Sequence, residues 1–110
     1  MNIDQQINYW VISSEEDFAA AQSLLEKGHL RHCLFFAHLA IEKMLKAHVV
    51  LVTQKIPPKI HDLDRLSRLA QLQIDQEKEN LLLDFKVYQL EGRYPDSQQI
   101  ILDNNLTKQE

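Results

Sequence analysis

Arg93 and Tyr94, set between Gly92 and Pro95, are the adjacent pair in this chain best equipped to hold a ligand. A guanidinium is a planar fork suited to phosphate or carboxylate, and a phenol ring offers a face on which a base can stack. Pro95 restricts the local backbone and so the direction of Arg93. The same pair can instead serve the fold, with Arg93 bound to Glu91 or Asp96 and Tyr94 closing the end of the helices. His61-Asp62 stands between Pro57-Pro58 and the start of a helix. Free N–H groups and partial positive charge at a helix start suit an anion. The alternative there is a cap from Asp62 and a loop histidine bonded to backbone. Glu42, Lys43 and Lys46 complete the set. Glu42 and Lys46 are four apart and can pair along one helix face. Either they form a solvated stripe, or Lys43 and Lys46 line a groove and meet phosphate as point charges. The candidate binding residues are therefore Arg93, Tyr94, His61, Lys46 and Lys43, and the ligand chemistry they share is a phosphate with a base beside it.

Other constellations are weaker. The chain has five histidines and one cysteine. His29 and His32 are three apart, but His38 and His48 fall on different faces of one helix, and no cysteine cluster or His-Glu-x-x-His pattern accompanies them. No metal and no cofactor is expected. A glycine-rich phosphate loop, a Ser-His-Asp order and a paired-carboxylate motif are all absent, so no catalytic residue is assigned.

Helices must position these groups. Ile3, Ile7, Trp10, Val11, Phe18, Ala21, Leu24 and Leu25 recur at threes and fours, which predicts one helix over about 3–27, stopped by Gly28. Ser13 and Ser14 offer a later cap, but the apolar stripe runs through them. Residues 30–53 form a second helix that is apolar nearly all round, interrupted chiefly by Glu42, Lys43 and Lys46. Such a helix is central in a bundle or lies in an interface. Pro57-Pro58 forces an extended linker. Asp62 caps a short third helix with Leu63, Leu66, Leu69 and Ala70 on one side. Asp75 caps a fourth helix that ends at Gly92. The expected architecture is all-α: an antiparallel up-and-down four-helix bundle with an extra short helix, in one domain over residues 1–106 with a tail over 107–110.

Composition agrees. In 110 residues there are two glycines and three prolines, little turn material for a sheet-rich fold. The net charge of −4 means that any nucleic-acid site is a local concentration of Lys and Arg on an acidic background. The lone Cys33 favours a reducing compartment. The first residues lack the basic and apolar regions of a signal peptide, and no apolar run approaches the roughly 20 residues of a membrane span. A cytoplasmic protein with no membrane contact is expected.

Three segments, Ala40-Ile-Glu-Lys-Met-Leu-Lys-Ala47, Pro57-Pro-Lys-Ile-His-Asp-Leu63 and Glu91-Gly-Arg-Tyr-Pro-Asp96, occur in an order that resembles the HEPN family (higher eukaryotes and prokaryotes nucleotide binding), in its small bacterial or archaeal stand-alone form. The resemblance spans residues 3 to about 106 and implies a helical bundle that pairs as a homodimer. The family's final helix is expected to be missing. It further implies a module that binds a nucleotide or RNA without catalysis, beside a separately encoded minimal nucleotidyltransferase, as in a toxin–antitoxin pair. Two alternatives stand next to it. One is a metal-independent HEPN ribonuclease toxin, whose motif is an Arg, a polar residue and a following His. Arg31 and His38 fit that spelling but open the second helix, whereas the motif belongs late in the domain. The late Arg93 is followed at the required spacing by Ser97, Gln98, Gln99 and Ile100, none of them histidine. The other alternative is a ligand-free dimerisation or scaffold domain.

Overall fold

Four helices follow one another along the chain: α1 (Ile3–Glu26), α2 (Leu30–Thr53), α3 (Leu63–Leu69) and α4 (Gln76–Glu91). The computed structural model describes residues 2–91, with side chains described for residues 2–84. Among the described residues there is no strand, and the fold is an all-helical bundle in which the short helix is α3.

Local chemistry explains several of the boundaries; Asp62 stands at the N-cap of α3, but its side chain makes no capping hydrogen bond there. Asn2 caps α1 by accepting the Gln5 N–H at 3.1 Å, and Asp4 complements the helix dipole in the first turn. Ser13 and Ser14 begin no helix. Ser14 is buried, and its hydroxyl donates to the Ala40 carbonyl at 2.7 Å, so α1 runs on through them and the serine joins it to α2. At the far end Gly28 takes φ +81°. Its N–H donates to the Leu25 carbonyl while that of His29 donates to the Leu24 carbonyl, the pair of hydrogen bonds that closes a left-handed helix stop. α2 then returns antiparallel to α1, since Ser14 meets Ala40 whereas Lys43 reaches back to Ser13. α2 ends where Gln54 turns left-handed at φ 60°.

α2 is apolar on two sides because it is packed on two sides. Ala40 and Ala47 are small and buried, which lets α1 approach closely. On the other side Leu45 and Val49 form the core with Leu63, Leu66 and Ala70, flanked by Ile41, Ile60 and Leu82. α3 therefore holds its place by burying one side of seven residues, far too few to persist as a helix alone. Asp75 caps α4 by accepting the Lys78 N–H at 2.8 Å. Among the described residues α1 packs on α2 and on neither α3 nor α4. No helix among them is long and apolar enough to cross a membrane.

Candidate functional site

Polar residues on an apolar helix need partners, and those of α2 converge on one carboxylate. His38, Glu42 and Lys46 are spaced at fours and lie along one line of the helix. Glu42 is 4% exposed, Lys46 is 6% exposed and His38 is fully buried. The Lys46 ammonium donates to Glu42 Oε2 at 3.1 Å, and His38 Nε2 stands 3.5 Å from Oε1. The extended linker supplies a further partner: His61 Nδ1 lies 3.0 Å from Oε1. Trp10 of α1 closes the cluster, with the Lys46 ammonium 5.2 Å from its ring centroid, within cation–π range.

Burial alone would raise the Glu42 pKa. The hydrogen bond from His38, the charge and hydrogen bond of Lys46 and the hydrogen bond of His61 together outweigh it, and the carboxyl is lowered from 4.5 to about 2. Glu42 is thus a carboxylate at every physiological pH. A carboxylate only accepts, so the His61 Nδ1 carries the proton shared with it, and Nε2 is the ring nitrogen left for a second partner. The His61 side chain is 60% exposed, so the imidazole is held on its buried edge and presented on the other.

Lys43 takes a different direction. Its ammonium lies 2.7 Å from the Asp17 carboxylate and 2.7 Å from the Ser13 hydroxyl, both on α1. The structure therefore brings Lys46 and His61 together through Glu42 and places Lys43 at the joint between α1 and α2. The solvated stripe that spacing alone allows for Glu42 and Lys46 is not what forms, because both side chains are buried. Arg93 and Tyr94 lie outside the described residues. Spacing alone makes Glu42 only the i,i+4 partner of Lys46 and Trp10 only a member of an apolar stripe, so neither stands among the candidate binding residues. The signal was available in the line His38, Glu42, Lys46 on a helix otherwise apolar, which obliges the three to pair. Among the described residues no group of three or more His, Cys, Asp or Glu side chains is arranged to hold a metal ion.

A second feature is apolar. Phe18, Ala19, Ile41 and Met44 line a cleft of about 370 Å³ between α1 and α2, and Phe18 stands half exposed at its edge. Tyr9, Ile12 and Leu25 extend the exposed apolar surface of α1.

The family model described as HEPN domain matches residues 7–110 of the chain. No curated protein and no solved structure matches it.

Proposed function

The chain belongs to the HEPN domain family, which implies a nucleotide- or RNA-related function, and from that membership we propose a non-catalytic module that binds a nucleotide or RNA end. The observation that carries the reading is the Glu42–His61 contact. A buried carboxylate, ionised at neutral pH, holds an exposed imidazole by its Nδ1–H at the start of α3. In its imidazolium form His61 donates Nε2–H to the ligand phosphate, Arg93 supplies a second, bidentate contact, and Tyr94 stacks on the base. Lys46 acts through Glu42 by holding it ionised. Lys43 ties α1 to α2 and leaves the ligand to the others. The module works beside a separately encoded minimal nucleotidyltransferase in a toxin–antitoxin-like pair. It acts as a homodimer through the exposed apolar side chains of α1.

The burial of His38 favours binding over cleavage. A metal-independent ribonuclease needs a histidine within reach of the 2′-hydroxyl or the leaving oxygen. His38, the histidine of the Arg31–His38 pair, has no exposed surface. The test is calorimetric titration of the purified protein with nucleoside triphosphates, beside a cleavage assay on single-stranded RNA. Binding is expected in the wild type, weakened in Arg93→Ala by about 1.5–3 kcal/mol through loss of a charged hydrogen bond. RNA cleavage that disappears in His38→Ala would overturn the reading in favour of the ribonuclease.

A further inference from the structure

Two cations of α2 are already neutralised inside the protein, Lys46 by Glu42 and Lys43 by Asp17. The remaining cations are unevenly distributed. α1 carries Asp4, Glu15, Glu16, Asp17 and Glu26 and no Lys, Arg or His. Lys78 stands between Glu77 and Glu79 in the first turn of α4. The linker and α3 differ: Lys55, Lys59, Arg65 and Arg68 are all exposed, with two carboxylates, Asp62 and Asp64, among them. Asp64 is engaged by Arg68 at 3.3 Å.

The segment also has a fixed course. Gln54 turns the chain left-handed off α2, Pro57 is buried, and Ile60 packs on the core, so the linker lies along the protein. α3 buries Leu63, Leu66, Ser67 and Ala70, which leaves Arg65 on its outer side. His61, held by Glu42, falls between Lys59 and Arg65 in sequence. In a chain of net charge −4, residues 55–68 carry four Lys and Arg side chains against two carboxylates, a local excess of positive charge on a segment whose course is fixed by packing.

We infer that the linker and the outer side of α3, through Lys55, Lys59 and Arg65 around His61, form a track for the sugar–phosphate backbone of single-stranded RNA several nucleotides long. This rests on the nucleotide- or RNA-binding reading above and extends it: the His61 site takes one phosphate, and the strip takes those that follow. The contacts are to phosphate, so the track is indifferent to base sequence. Polyanion binding through it is driven by counterion release and falls with salt.

The experiment is fluorescence anisotropy of the full chain with a labelled oligoadenylate about a dozen nucleotides long, at salt between about 50 and 200 mM. ATP titrations run in parallel. With three cations engaged, the plot of log affinity against log salt is expected to fall with a slope of about −2, following −0.7 per phosphate neutralised on a single strand. Lys55→Ala, Lys59→Ala and Arg65→Ala should each flatten that slope by about 0.7, and the triple variant should lose about ten-fold or more in oligomer affinity at the lowest salt while its ATP affinity stays unchanged. Lys27→Ala and Lys78→Ala are controls and leave both ligands unaffected. These surface substitutions leave the core intact, and circular dichroism verifies it. A triple variant that binds the oligomer like the wild type overturns the track. So does ATP binding without oligomer binding, which leaves the mononucleotide reading standing. Binding of polyglutamate in place of RNA overturns it in favour of an acidic protein partner. If neither ATP nor oligomer binds, the underlying reading fails and the track with it.

Discussion

Glu42 and His61 meet at 3.0 Å across nineteen residues of sequence, one from the middle of α2 and the other from the linker that leads into α3. The contact joins the two halves of the chain's polar chemistry. It also makes the position of the exposed imidazole depend on a side chain that solvent hardly reaches.

Replacing Glu42 by Gln keeps the shape and removes the charge. Lys46 is then left buried without a counter-ion, and breaking a buried pair in this way costs about 3–5 kcal/mol. Urea denaturation of Glu42→Gln should show a clearly lower midpoint with an unchanged slope. The double replacement Glu42→Leu with Lys46→Met should recover much of the loss, because it removes both charges together. A single variant as stable as the wild type would show that the pair is not the strongly coupled contact described.

Acid should act through the same residue. The Glu42 pKa is about 2 in the folded chain against 4.5 as its ordinary value, so the unfolded chain takes up the proton first as pH falls. The associated stability is fully present above about pH 4.5 and is lost as pH drops toward 2. It amounts to about 3 kcal/mol at most, at 1.36 kcal/mol per pH unit. Stability measured by urea at stepped pH should decline through that window in the wild type, with a shallower decline in Glu42→Gln. Parallel curves would assign the acid sensitivity to other carboxylates.

Lys43 is expected to matter for the joint between helices and little for ligand. Its ammonium is shared by Asp17 and Ser13, all three partly buried. Lys43→Met should cost about 1 kcal/mol, near the upper end for a pair that retains solvent access. Nucleotide affinity should change less than two-fold. A large loss of affinity at full stability would return Lys43 to the binding site.

Leu66 has no exposed surface and anchors α3 to the core. Leu66→Ala should destabilise by about 2–5 kcal/mol. Because α3 is too short to survive without that packing, amide exchange should rise first in α3 and the linker, ahead of α1 and α2. Uniform loss of protection would mean that α3 is not an independently released element.

The helices were legible in the sequence because their signals are local. The apolar spacing through Ile7, Trp10 and Phe18 and the stop at Gly28 place α1 within a residue, and the Asp75 cap is found where expected. The site was legible in part. Residue type and position single out His61 and Lys46 as candidates, but spacing along the helix makes the carboxylate between them only one member of an i,i+4 pair. Its burial follows from how the linker folds back over α2, a tertiary event that spacing along the helix does not encode. Trp10 was legible only as a member of the apolar stripe, for the same reason: its neighbour Lys46 belongs to another helix.

The chain contains a single tryptophan, and Trp10 is also the residue beneath Lys46. Indole emission depends on the electric field at the ring, and an ammonium 5.2 Å from its centroid is a strong local source of that field. The protein therefore contains its own optical reporter, placed against the charged cluster and free of background from any other indole. Protonation of the carboxylate, withdrawal of the linker or arrival of an anion at the imidazole each alters that field. The state of the cluster can be followed in an unlabelled sample by the wavelength and intensity of one chromophore.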